Sequence, residues 1–488
     1  MVAQHGQKGF APDNERVSVR EEKQLVAAAA AVPDGLPQPQ RWIAMTVIVL
    51  GLVLCVMDST MLNMALPQVA RQWHIDPAYT LWVVNANQIA SLVLLLPLAA
   101  LGDRMGYRRV YLLGMLVFGV ASVGSLFAPS LPWLIVSRAL QGMGAAGVMS
   151  VNASLVRLIY PRAELGKGMA LNSLMVALAF VAGPAVAAGV ISLGDWRWLF
   201  ALHLPLALLV GWMGQRYLPF SPAAKNTGGL SLLDVLLNIV MFASLFLGID
   251  RISHWGEGSS VAVVVLWLAL GVGSGTWYMQ RQRQLSAPMF PLDLLQIRVF
   301  ALSMCASISA FCAQTMAFLA LPFLLMEARG MPAGKAGLLI SAWPLALALT
   351  APWVGRMIGR WPAGKLGGIG MALFACGLWS LAWMPNDPAP WNVAWRMVLC
   401  GAGFALFQSP NNFTIVTSAP LHRSGAASGM LGAARHVGQG FGAVLLAGAF
   451  LVWHQVPGQA EKHALIAAGF CAVMAGCFSM MRKTPTAT

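Results

Sequence analysis

The chain has 488 residues, 58% of them apolar and 10% charged, with a mean hydropathy of +0.69. A soluble globular protein carries roughly 25% charged residues, so composition excludes that class and indicates a polytopic membrane protein. The net charge of +14 raises nucleic-acid binding as a function, but the cations are spread over short loops and two tails with no clustered basic domain, which argues against it.

Residues 1–41, with the stretch "HGQKGFAPDNERVSVREEKQ", are polar and mixed in charge, and read as a disordered cytoplasmic tail rather than a signal peptide. Apolar runs then recur almost to the C-terminus. A helix needs roughly 20 residues to cross a hydrocarbon core of about 30 Å. Breaks at polar, Gly and Pro clusters predict helices near 42–66, 79–101, 110–127, 131–151, 168–192, 199–217, 233–250, 261–278, 299–326, 336–355, 364–384, 392–410, 424–452 and 463–481. The runs lack the alternation of a membrane β-barrel. With the N-terminus placed inside, 22 of the 31 Lys and Arg fall on inside segments, which predicts fourteen helices with both termini cytoplasmic. The seven cysteines all fall within predicted helices without metal-ligand spacing, so they read as packing residues, and no metal site is expected.

A weak internal repeat organises these runs. "AALGDRMGYRR" (99–109) joins the second and third predicted helices, and "GRMIGRWPAGK" (355–365) joins the tenth and eleventh. The division expected is a six-helix bundle over 42–217, a linker with two inserted helices over 218–298, a second six-helix bundle over 299–482 and a short tail, 483–488. In the second copy of the turn, Gly359 is expected where Asp103 stands.

Several residues are out of place in a hydrocarbon environment. Asp58, in "VLCVMDSTMLNMALP" (53–67), is the acid set deepest in the apolar runs; Asp234, Asp293, Asp250 and Glu327 border predicted helix ends. A carboxylate at that depth can be neutralised by a proton or by a cationic ligand. Arg138 lies in an apolar and small-residue run, where a cation costs about 2.5–3.5 kcal/mol on insertion scales unless it faces a partner or cavity. Gln141, three residues on, shares its face. Arg138 can alternatively be a structural side chain bonded to backbone carbonyls.

Asp103, Arg104, Arg108 and Arg109 surround Gly106, whose freedom to adopt a positive φ suits a tight turn. That turn can carry a charge network to a neighbouring helix end, or serve only as a topogenic cationic loop. Gly183 permits close helix approach and Pro184 interrupts the backbone hydrogen-bond ladder. Near the end of the twelfth helix, Gln408, Asn411 and Asn412 either line a cavity or cap the helix at Pro410. Arg435 and His436 fall in the thirteenth.

These stretches together resemble the major facilitator superfamily, and specifically its fourteen-helix drug:proton antiporter branch. The resemblance rests on "MDSTMLNMALP" (57–67), "LGDRMGYRR" (101–109), "RALQGMGAAG" (138–147), "AGPAVAAG" (182–189) and "DWRWLFALHLP" (195–205), in the branch's order. Ala179, Ala187 and Ala188 depart from the glycines usual in the antiporter motif. The resemblance implies an all-α fold of two six-helix bundles plus two inserted helices, and gating by the loop of residues 103–109. It also implies that Arg138, with Gln141 on its face, takes part in proton coupling, that Asp58 lies on a motif shared with drug:proton antiporters, and that helix five is of the export type at Gly183 and Pro184.

The function expected is export of amphipathic, cationic drugs or biocides in exchange for protons, by alternating access in a bacterial inner membrane. The alternative is a carrier of an anionic metabolite, siderophore or lipid, with Arg138 and Arg435 as counter-ions. No cofactor is expected beyond protons as the coupling ion, and the chain is expected to work as a monomer. Some relatives hand substrate to a periplasmic adaptor; the loops here do not indicate one. No HExxH, GxSxG or P-loop motif is present, which argues against an enzyme.

Overall fold

The computed structural model describes residues 35–75, 77–221, 231–253, 261–285, 289–385, 388–453 and 458–482. Most of the expected N-terminal tail, part of the linker and the last six residues lie outside this set. Among the described residues the first helix begins at Gln40, two residues earlier than the helix start expected from the sequence.

Fourteen helices of at least 20 residues are present among the described residues. They are α1 (Gln40–Trp73), α2 (Pro77–Met105), α3 (Tyr107–Leu126), α4 (Leu131–Ile159), α5 (Leu165–Leu193), α6 (Trp198–Tyr217) and α7 (Leu232–Ser253). The others are α8 (Val261–Gln282), α9 (Arg298–Pro322), α10 (Ala333–Met357), α11 (Ala363–Ala382), α12 (Pro390–Ser418), α13 (Ser424–Trp453) and α14 (Gln459–Met480). Ten of them contain a described stretch long and apolar enough to cross a bilayer, and α7 has a shorter one, Leu232–Gly248. A hydrocarbon solvent leaves backbone amides no partner but their own carbonyls, which is why the apolar runs are helical throughout. The ninth helix ends earlier than its apolar run: after Pro322 the chain passes into a π-helical turn, Phe323–Ala328.

Helices α1–α6 pack into one half and α9–α14 into the other. Glycines set the closest approaches at matching places in both. A Cβ on Gly144 would come within 2.4 Å of the Phe118 backbone, drawing α3 onto α4. A Cβ on Gly403 would lie 2.6 Å from the Gly370 carbonyl, drawing α11 onto α12. The C-terminal half is centred on a run of edge-on and tilted rings, Phe318, Trp343, Phe374, Phe404 and Phe311. The halves meet along two seams, α5 against α10 and α12, and α13 against α2 and α4. Helices α7 and α8 form a hairpin whose first member lies against α2 and α13, where Asn238 Nδ2 donates to the Val93 carbonyl at 2.7 Å.

The two turns of the internal repeat align differently from the sequence expectation. Gly106 between α2 and α3 has φ +95°, and Gly359 between α10 and α11 has φ +88°. The left-handed conformation that glycine tolerates therefore makes Gly359 the counterpart of Gly106. Arg356, three residues before it, is the counterpart of Asp103. The second copy carries a reversed charge where the first has its carboxylate.

Candidate functional site

Four polar side chains from three helices converge inside the N-terminal half. Asp58 comes from α1, Arg138 and Gln141 from α4, and His203 from α6. Arg138 Nη1 donates to both carboxylate oxygens of Asp58, at 2.7 and 2.8 Å, and to Gln141 Oε1 at 2.6 Å. Gln141 Nε2 in turn donates to Asp58 Oδ1 at 3.1 Å and to Ser122 Oγ at 3.0 Å. Asp58 and Arg138 are 2% and 1% exposed, so the ion pair is sealed from solvent. Two charges so buried are tolerable only because they neutralise each other and are hydrogen-bonded besides.

His203, which the sequence alone does not single out, completes the cluster. Its Nδ1 lies 3.7 Å from Asp58 Oδ1 and 3.5 Å from Gln141 Nε2, and its ring packs between Phe118 and Phe200. Its Nε2 is buried with no hydrogen-bond partner among the described residues. The available signal was a lone imidazole in the apolar run "WLFALHLP" (198–205). Gly183 brings α5 onto α1 beside this cluster, since a Cβ there would overlap Thr60, two residues from Asp58. Pro184 belongs to α5, and its side chain lies outside the described residues.

A separate cavity of about 60 Å³ lies between the halves. Leu52, Met149, Val176, Phe311 and Leu431 supply its apolar wall. Asn152, Asn172, Ser173, Gln408, Asn412 and Ser428 supply polar groups, and Arg435 its charge. Asp58 and Arg138 are not among the lining residues. Of the two neighbouring asparagines on α12, only Asn412 reaches the cavity. Asn411 turns the other way, donating to Ser307 Oγ at 2.7 Å and accepting from Arg482 Nη1 at 2.7 Å. Pro410 lies within α12, so neither asparagine caps a helix end there.

At the end of the molecule where the arginine-bearing turns lie, Asp103 closes the seam between α2 and α13. Its Oδ1 accepts from Gly425 N at 2.8 Å and from Tyr107 Oη at 2.8 Å, and its Oδ2 accepts from Ala426 N at 3.0 Å. The first free amides of α13 point at the carboxylate, where the positive end of the helix dipole favours an anion. Arg157 of α4 crosses beside it, donating to the carbonyls of Val416 and Ala419 at 2.7 and 3.0 Å and to Ser424 Oγ at 2.8 Å.

Of the basic residues of the Asp103 turn, Arg108 reaches the C-terminal end of a neighbouring helix, α6, and not the seam. Arg108 hydrogen-bonds the carbonyls of Gln215 and Leu218 and lies over the Phe220 ring, at 4.1 Å, within its own half. Arg104 is half-buried and Arg109 exposed. Among the described residues, the hydrogen bonds that Asp103 makes across the seam go to backbone amides.

Two six-helix halves thus meet around a cavity, with Asp103 of the α2–α3 turn bonded across the seam. Residues 48–443 match the Major Facilitator Superfamily. The chain belongs to this superfamily. It is similar to the uncharacterized transporter YebQ of Escherichia coli (strain K12), 43% identical over 92% of this chain and 97% of YebQ. It is also similar to the multidrug resistance protein Stp of Mycobacterium tuberculosis (strain CDC 1551 / Oshkosh), 28% identical over 85% of this chain and 79% of Stp. Among solved structures, that of the human organic anion transporter MFSD10 (TETRAN) shares the fold, with a TM-score of 0.66 at 14% identity over 91% of this chain and 100% of that one. As a superfamily member this chain is a multi-pass membrane transporter of small molecules, not an enzyme.

Proposed function

We propose that this transporter is a proton-coupled exporter of amphipathic compounds, of the fourteen-helix drug:proton antiporter branch, in a bacterial inner membrane with both termini cytoplasmic. The observation that carries this reading is the sealed pair of Asp58 and Arg138. A proton arriving at Asp58 cancels its charge and leaves the Arg138 guanidinium buried without a counter-ion, a state costly enough to drive rearrangement of α1 against α4. Release of the proton on the other side restores the pair. The cycle needs no cofactor. The name of Stp and the basic turns on the proposed cytoplasmic face support the direction and the sidedness.

In this scheme substrate and proton need not compete for one carboxylate. The two substrate classes expected from the sequence, cations meeting Asp58 and anions meeting Arg138 and Arg435, therefore divide on what the cavity between the halves presents. The reading is tested in proteoliposomes with fluorescent dyes and biocides against an imposed pH gradient. Wild type should accumulate them against their gradient, and Asp58→Asn should only equilibrate them. Undiminished uphill transport by that variant would refute proton coupling at Asp58.

A further inference from the structure

An exported compound has to pass through the cavity between the halves, and the side chains there set the charge it can carry. Arg435 is the one ionisable side chain among the described lining residues. Its Nη2 lies 4.0 Å from the thioether Sδ of Met149, and among the described residues no carboxylate pairs with it. Asp58, the acid that a cation would need, is bound to Arg138 and does not line the cavity. We propose that the cavity binds its substrate through an anionic group, a carboxylate, gripped by the Arg435 guanidinium, with the molecule's apolar body lying against Met149, Val176 and Phe311.

Three further observations fit an acceptor-rich ligand. Gln408 and Asn412 line the cavity with no hydrogen bond to protein among the described residues, so their amide N–H groups are available as donors. Ser173 Oγ is buried there without a hydrogen-bond partner among the described residues. Asn152 Nδ2 donates to Asn172 Oδ1 at 3.1 Å, which holds two more amides at the wall. A carboxylate would satisfy the guanidinium and draw on these donors. An ammonium would meet a fixed positive charge, with only neutral oxygens as compensation. Because about 60 Å³ is smaller than such a molecule, binding requires the halves to part at one end, as alternating access provides.

The inference rests on the exporter reading for its physiological sense but is tested without transport. The full chain in nanodiscs is titrated with two probes that share a fluorophore, dansylglycine, which carries a carboxylate, and dansylcadaverine, which carries an ammonium. Wild type should bind dansylglycine about tenfold more tightly than dansylcadaverine. Arg435→Gln should erase that preference by weakening dansylglycine about tenfold, while Arg435→Lys retains part of it. Tighter binding of dansylcadaverine by wild type, no binding of dansylglycine, or an Arg435→Gln variant that keeps full dansylglycine affinity would each overturn the proposal. The wild-type ranking of the two probes decides the matter even where the glutamine variant fails to fold. Binding through Arg435 without uphill movement in a pH gradient would instead sink the exporter reading and leave this one standing.

Discussion

Arg138 Nη1 sits within 2.8 Å of both carboxylate oxygens of Asp58, so one nitrogen of α4 holds α1 through a single fully buried ion pair. Removing one partner strands the other charge, and the expected loss of stability is about 3–5 kcal/mol. Asp58→Asn should therefore unfold at a lower temperature than wild type in a detergent melt. Asp58→Asn combined with Arg138→Gln should regain most of that stability while remaining unable to couple transport to protons. If the double variant stays as unstable as the single one, the Asp58 carboxylate is needed for folding beyond its bond to Arg138.

Gly183 and Thr60 give a second test in the same region. A methyl group on Gly183 must displace the Thr60 hydroxyl or push α5 away from α1, and overpacking of this kind costs about 1–3 kcal/mol. Gly183→Ala should slow exchange and lower the melting temperature, and adding Thr60→Ala should restore both. A double-mutant cycle showing no coupling between the two positions would mean that the α1–α5 contact yields elsewhere.

Much of this architecture was legible in the residues. Long apolar runs located the helices because a bilayer admits few backbone solutions. Asp58 and Arg138 stood out because hydropathy makes any intramembrane charge conspicuous. Their meeting was not legible, since nothing in one sequence says that the faces of α1 and α4 bearing them oppose each other. His203 escaped for the opposite reason: a lone imidazole in an apolar run is normally a packed side chain, and only proximity to Asp58 distinguishes it. Adjacent residues on a helix point about 100° apart, so Asn411 and Asn412 read identically in sequence and face different environments. The repeat was visible, but its alignment at Gly359 and Arg356 depended on backbone φ.

That divergence of Asn411 and Asn412 has a measurable consequence. Asn411 accepts from Arg482, which is 4% exposed and also donates to Ser303 Oγ at 3.0 Å. Asn411→Leu removes that acceptor from a buried guanidinium and should destabilise the chain by about 1–3 kcal/mol without changing the order in which substrates bind. Asn412→Leu should do the reverse, leaving the melting temperature near wild type and altering ligand affinity. Equal effects of the two changes on ligand ranking would contradict the assignment of only one of them to the cavity.

Asp103 makes the closed seam testable as an equilibrium. Its two oxygens accept from Gly425 N and Ala426 N on the opposite half, and a hydrogen bond to a charged group contributes about 1.5–3 kcal/mol. Losing both should shift the balance of closed to open forms by at least about tenfold. Ser428 lines the cavity behind this seam and is buried. A Ser428→Cys variant, with the seven native cysteines replaced, should thus react slowly with a membrane-impermeant maleimide applied from the Asp103 end. Asp103→Ala should speed that labelling about tenfold, and Asp103→Asn, which keeps one acceptor oxygen, should give an intermediate rate. Equal labelling of all three would assign closure to the Arg157 contacts with Val416 and Ala419 instead.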